Sequence, residues 1–143
     1  IELDAGPYVE FTPKALGHEL LEVAESSGRQ EVFPVVDETR RVVGLITLED
    51  LTAFAAEAEL EALVCASDLM RPPMTLQAND FASRALELML SMGVRELPLV
   101  DPDGKLLGLI TEAAIAHEYM RTRAAQRTDA GASLPRPMES EDG

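Results

Sequence analysis

The sequence has one cysteine, Cys65, among 143 residues. A single thiol closes no intrachain disulfide and builds neither a Cys/His zinc cluster nor a redox pair, a usage that fits a reducing compartment. Basic residues are scarce too: 12 Lys and Arg stand against 26 Asp and Glu, for a formal net charge of -14. A chain that neutralises nucleic-acid phosphates needs a basic face, so that class of partner is excluded. Long apolar runs are also missing. No stretch approaches the ~20 residues of a membrane-spanning helix, and no basic segment followed by an apolar one marks a signal peptide. The sequence opens at Ile1 rather than Met and is expected to be a piece of a longer chain, with any membrane spans upstream. Catalytic constellations are absent in the same way. His18 and His117 are not spaced with further Cys or carboxylates as metal ligands would be, and no nucleophile sits with a base, so neither an enzyme nor a metal site is expected.

What the sequence does contain is a repeat. Residues 33–51, "FPVVDETRRVVGLITLEDL", align without a gap on residues 97–115, "LPLVDPDGKLLGLITEAAI", keeping Pro, Val, Asp, Gly, Leu, Ile and Thr in register. Upstream the offset becomes 65, matching Leu16 to Phe81, Leu21 to Leu86 and Gly28 to Gly93. Each unit reads helix, strand, turn, strand, helix. In the first, Thr12 and Pro13 suit a helix start, Leu16, Leu20, Val23 and Ala24 recur at helical spacing, and Gly28 suits the stop. In the second, a helix is predicted from Asn79 or Asp80, with Phe81, Ala85, Met89 and Met92 on one face before Gly93. Two short β-branched-rich runs follow each glycine, joined by "DETRR" and "DPDGK". These runs are apolar throughout rather than alternating, so both faces of the strands should be buried, one under helices and one against the other repeat.

The segment between the copies is rich in helix formers until Pro72 and Pro73 force an extended lead-in. The expected organisation is therefore a first repeat with a linker helix over residues 1–66, a second repeat over residues 67–121, and a disordered tail over residues 122–143, which lack periodic apolar positions.

Two copies of this hairpin phrase, each after a helix that ends in glycine, resemble the cystathionine-β-synthase (CBS) domain, a regulatory unit that works as a tandem pair. The resemblance implies a mixed α/β (α+β) fold of two β-α-β-β-α repeats, with facing three-stranded sheets and pseudo-two-fold symmetry. It also implies clefts between the repeats that take adenosine-containing ligands such as AMP, ADP or ATP, and further pairing into a homodimer. More narrowly, residues 32–73 together with "GVRELPLVD" and "EAAIAHEYMR" resemble the cytoplasmic CBS pair at the C-terminus of bacterial ClC-type chloride channels and antiporters. That implies a location at the cytoplasmic face of a membrane and a transport domain of the same parent chain as partner.

The resemblance implies candidate binding residues where the second hairpin strand ends. Thr47 and Asp50 form a Thr-x-x-Asp step at a helix start, which reads equally as a capping box and as a nucleotide anchor, the carboxylate accepting ribose hydroxyls and the helix terminus facing phosphate. The resemblance completes such a cleft with Arg71, Pro73, Met74 and Arg95, although Arg95 could equally be a surface cation paired with Glu96 or another of the many acids. The opposite cleft would use Tyr8, Val9 and Thr111, with Ala114 in place of the carboxylate and Glu31 in the position matching Arg95, so it is expected to be degenerate. Tyr8 there could stack on a purine or simply cover the edge. Cys65 and the methionines Met70, Met74, Met89 and Met92 are expected to pack. The expected function is a regulatory module binding an adenine nucleotide in at most one cleft, with no cofactor required. A ligand-free dimerisation module is the alternative, as is a pair serving another parent, a metabolic enzyme or a cation transporter.

Overall fold

Each half of the chain folds around a β-hairpin whose prolines decide how the sheet can grow. In the computed structural model, which describes residues 7–133, strand β1 (Val32–Val36) pairs antiparallel with β2 (Val42–Thr47), and β3 (Glu96–Val100) with β4 (Leu106–Thr111). Pro34 and Pro98 have no N–H to give to an outer neighbour. The lead-in segment on that edge skips them: the N–H of Phe11 donates to the Pro34 carbonyl at 2.9 Å and the Val36 N–H donates to the Phe11 carbonyl at 2.8 Å. Leu76 repeats this between Pro98 and Val100 at 2.9 and 2.8 Å. The third strand of each expected sheet is thus a single parallel bridge, Phe11 to Val35 and Leu76 to Leu99, beside a two-stranded hairpin.

The strands are buried on both faces, as their unbroken apolar composition requires. Phe33, Val35 and Ile46 point into a core with Phe11, Leu20 and Leu51, where the Phe11 and Phe33 rings stack at 5.5 Å. Val32 and Leu45, on the opposite face of the same hairpin, belong instead to the core of the second repeat with Leu97, Met89, Ile110 and Ile115. The hairpin tips are stitched as well. The Val42 N–H donates to the Gly104 carbonyl at 3.1 Å and the Leu106 N–H to the Arg40 carbonyl at 2.9 Å. Arg40 and Gly104, equivalent positions in the repeat, both take left-handed backbone (φ 73° and 86°), a conformation that glycine adopts freely and arginine does not.

Among the described residues five helices complete the fold: α1 (Gly17–Glu25), α2 (Leu48–Ala55), α3 (Ala66–Leu69), α4 (Ala82–Met92) and α5 (Glu112–Ser133). Several boundaries differ from the sequence expectation. Helix α1 begins four residues after Pro13, because residues 15–17 are held in extended pairing: the Ala66 N–H donates to the Ala15 carbonyl and the Gly17 N–H to the Val64 carbonyl, both at 2.8 Å. Helix α4 begins after Asp80, whose carboxylate instead accepts the Gln77 N–H at 2.8 Å. Phe81 therefore stands before the first helical turn, 80% exposed rather than on the buried face with Ala85 and Met89. The linker is no continuous helix; it makes one 3-10 turn (Ala58–Leu60) and the four-residue α3, since the chain must double back to bridge Leu16 with Cys65. Residues 122–133, expected to be a disordered tail, continue α5 as helix, their Ala and Arg content being sufficient for it; residues 134–143 lie outside the described part.

Gly44 pairs with Val35 beside the bulge at Val35/Val36, and a Cβ there would lie 2.4 Å from the Met70 sulfur and 2.9 Å from the Met70 Cβ. Gly44→Ala is accordingly expected to cost about 1–3 kcal/mol by forcing the lead-in away from β2. Urea unfolding of the variant checks it; an unchanged midpoint would mean that this approach is not tight.

Candidate ligand clefts

The Thr-x-x-Asp step is first of all a helix cap. Thr47 is buried with an extended backbone; its hydroxyl accepts the Asp50 N–H at 3.0 Å, and the Asp50 carboxylate accepts the Thr47 N–H at 3.2 Å. The second repeat keeps half of this arrangement. The Thr111 hydroxyl accepts the Ala114 N–H at 3.1 Å, and alanine returns nothing.

The loops before the two hairpins meet at the pseudo-two-fold axis. Glu31 and Arg95 occupy equivalent positions, and their side chains pair: the Arg95 Nη2 lies 2.9 Å from a Glu31 oxygen, and the other oxygen accepts the Arg95 N–H at 3.1 Å. The Glu31 carbonyl accepts the Leu48 N–H at 2.8 Å, while the Arg95 carbonyl accepts the Glu112 N–H at 2.7 Å, so each loop also caps the helix that follows its own hairpin. Glu96 binds the backbone N–H groups of Glu31 and Val32. The hydrogen bond that Arg95 donates to Glu31 holds its guanidinium further into the charged form.

A cleft of about 580 Å³ opens beside this crossing. Thr47 and Arg95 border it, with Glu31, Glu49, Thr52 and Met92. The other predicted members do not border it, although the cap joins Asp50 to Thr47. Asp50 turns to Arg71, whose Nε and Nη2 donate to its two oxygens at 2.9 and 2.8 Å. Pro73 is exposed, and Met74 is half-buried against the second core; of the six residues expected together, Thr47, Asp50 and Arg71 are joined through the Asp50 carboxylate, and Arg95 shares the cleft with Thr47. Partial burial pushes the Asp50 carboxyl pKa up, but the Arg71 fork and the Thr47 N–H and hydroxyl outweigh it and hold the pKa below its ordinary value; Arg71 is raised in turn, chiefly by its hydrogen bonds to Asp50.

The opposite cleft, about 320 Å³, is bordered by Tyr8 and Thr111 as expected, together with Ser27, Arg29, Gln30 and Glu96. Val9 is not at its border: its backbone N–H and carbonyl are both taken by the Gln30 side chain at 2.8 and 2.7 Å. Ala114 packs on the second core. The expected role of Glu31 here is overturned, since Glu31 borders the larger cleft, and Arg29, which has no ion-pair partner among the described residues, supplies this one with a cation. Sequence reading missed Glu31 as a partner of Arg95, although the alignment held the signal: equivalent residues of opposite charge close to a two-fold axis must face one another.

His18 and His117 are exposed, and no group of three or more potential metal ligands occurs among the described residues. No described helix is long and apolar enough to cross a membrane.

The duplicated hairpin, the shared core and the inter-repeat clefts agree with the comparison with known families, in which the CBS domain matches residues 14–57 and again residues 66–121. The chain belongs to the CBS-domain family. Among curated relatives, an uncharacterised protein of Methanopyrus kandleri is 34% identical over 79 residues, 54% of this chain and 40% of that one. An inosine-5'-monophosphate dehydrogenase of Methanocaldococcus jannaschii is 33% identical over 94 residues, 66% of this chain and 18% of the enzyme. The chain thus spans less than half the length of either relative. Among solved structures, CBSX2 in complex with AMP superposes with a TM-score of 0.61 at 25% identity, covering 81% of this chain and 90% of that one.

The pH dependence of the Asp50 contact has a definite sign. The folded carboxyl pKa lies below its ordinary 3.8, so the unfolded chain binds the extra proton; the stabilisation is complete above that value and is lost as pH falls through the folded pKa. Asp50→Asn should lower stability at neutral pH by about 1 kcal/mol, the contact being partly exposed. Its difference from wild type should shrink in strong acid. Denaturant melts at both pH values test this, and a constant difference would contradict the assigned contact.

Proposed function

We propose that this chain is a regulatory CBS pair that takes an adenine nucleotide in at most one cleft, the one bordered by Thr47 and Arg95, and that associates with a second copy of itself. The observation that carries the reading is that cleft of about 580 Å³, where the N-terminus of α2, a buried threonine and an arginine face one space between the repeats. Its volume is within the range of small-molecule sites. Asp50, the carboxylate suited to a ribose diol, stands on the same helix turn. AMP in the structure of CBSX2 supports the choice of ligand class. The opposite cleft is smaller and has alanine at the position of that carboxylate. Glu31 and Glu49 beside the larger cleft disfavour an unchelated triphosphate, so AMP, ADP or a magnesium complex of ATP fits better. The module is regulatory, with no catalysis of its own and no required cofactor.

As parent we propose a ClC-type chloride channel or antiporter, on the resemblance of residues 32–73 and the closing helix, with this domain at the cytoplasmic face of the membrane. The dehydrogenase relative favours a second reading, in which the pair serves a metabolic enzyme. The residues upstream of Ile1 decide: a ClC parent must show many apolar spans there. The domains are proposed to divide as residues 1–66 and 67–121.

Calorimetry with AMP, ADP, ATP and MgATP on wild type, Asp50→Ala and Arg29→Ala tests the ligand. Binding by wild type and Arg29→Ala, with at least a tenfold loss in Asp50→Ala, is expected. No heat with any nucleotide, together with a dimer whose melting temperature ignores all four, would leave a purely structural module.

A further inference from the structure

Asp50 does not offer its carboxylate to the larger cleft. Arg71 covers both oxygens, Nε on one at 2.9 Å and Nη2 on the other at 2.8 Å, and the Thr47 N–H takes a further acceptor position. A guanidinium fork presents two parallel N–H donors to a carboxylate. A vicinal diol presents two neighbouring O–H donors to the same acceptor, so the arginine fork and a ribose would compete for the same two oxygens. The attachment of this arginine is asymmetric. Its backbone is pinned to β2, the Arg71 N–H donating to the Leu45 carbonyl at 2.7 Å and the Leu45 N–H to the Arg71 carbonyl at 3.0 Å. Its side chain is 41% exposed, against 22% for Asp50. Side-chain rotation alone can open the contact, and no strand pairing has to break.

We propose that Arg71 is an internal latch on this site: its guanidinium stands on Asp50 in place of a ribose diol, and a ribose-bearing ligand binds by displacing it. The inference rests on the nucleotide reading of the larger cleft given above. The latch lowers apparent affinity by the fraction of time it is closed. It also sets a threshold that salt can move, because a partly exposed pair weakens as ionic strength rises.

The test is calorimetry with AMP and 2'-deoxy-AMP on the intact chain as wild type, Arg71→Met and Arg71→Lys at one salt concentration. Methionine keeps an apolar stem and removes the fork, whereas lysine keeps the charge without the fork geometry. Arg71→Met is expected to bind AMP about 3–10-fold more tightly than wild type, with Arg71→Lys between them. 2'-Deoxy-AMP, lacking the diol, should gain nothing. If wild type binds AMP and Arg71→Met binds it equally or more weakly, the latch is overturned while the nucleotide reading stands; a weaker Arg71→Met would make Arg71 a phosphate ligand. AMP binding by no variant, with all of them melting cooperatively, overturns both. Should Arg71→Met fail to fold, Arg71→Lys carries the same comparison.

Discussion

Everything in this molecule depends on two short hairpins that are apolar on both faces. A lone hairpin of this kind is marginal in water, because covering one face with its own helices leaves the other exposed. The second copy supplies that cover. Val32 and Leu45 leave the first repeat's core for the second's, and the hairpin tips exchange backbone hydrogen bonds across Arg40 and Gly104. The near-two-fold arrangement follows, since each hairpin is to the other what the other is to it. The clefts follow too, one on each side of the crossing, bordered by the loops and helix starts that adjoin the strands.

Charge then makes the two clefts different. Alanine at the third position of α5 leaves half a capping box and no carboxylate at the position equivalent to Asp50. Opposite charges at Glu31 and Arg95 turn a symmetric crossing into an ion pair that occupies one cleft, leaving Arg29 to supply the other. The two hairpins keep the same register all the same. The repeats diverge in what they can hold while staying equivalent in how they fold.

The parts of this structure legible in the sequence are those set by burial and by repetition. Strand positions, the burial of both strand faces, the glycine at the end of α4 and the Thr47 cap all follow from side-chain chemistry local to each element. Helix starts were read less well, because Thr12 and Pro13 satisfy a local preference that the pairing of Ala15 with Ala66 overrides from fifty residues away. Phe81 misled for a related reason: helical spacing placed it on the inner face, yet the helix begins one residue later. At the site, the resemblance brought Arg71 to Thr47 and Asp50, while the pairing of Arg95 with Glu31 was not foreseen. The Arg71 to Asp50 contact joins the lead-in of one repeat to the helix of the other, and no spacing rule encodes such a contact.

The sharing of cores also bears on what counts as a unit of this protein. The sequence divides naturally between the copies, but a cut there would leave Val32 and Leu45 facing water on one fragment and uncover Leu97 and Ile110 on the other. Contacts bridging some sixty residues must form before either hairpin is sheltered, so the chain gains little stability until both copies are present. Evolution could duplicate the phrase, but once the copies interlocked neither was free to be lost. The repeat is the unit of ancestry, and the pair is the unit of folding.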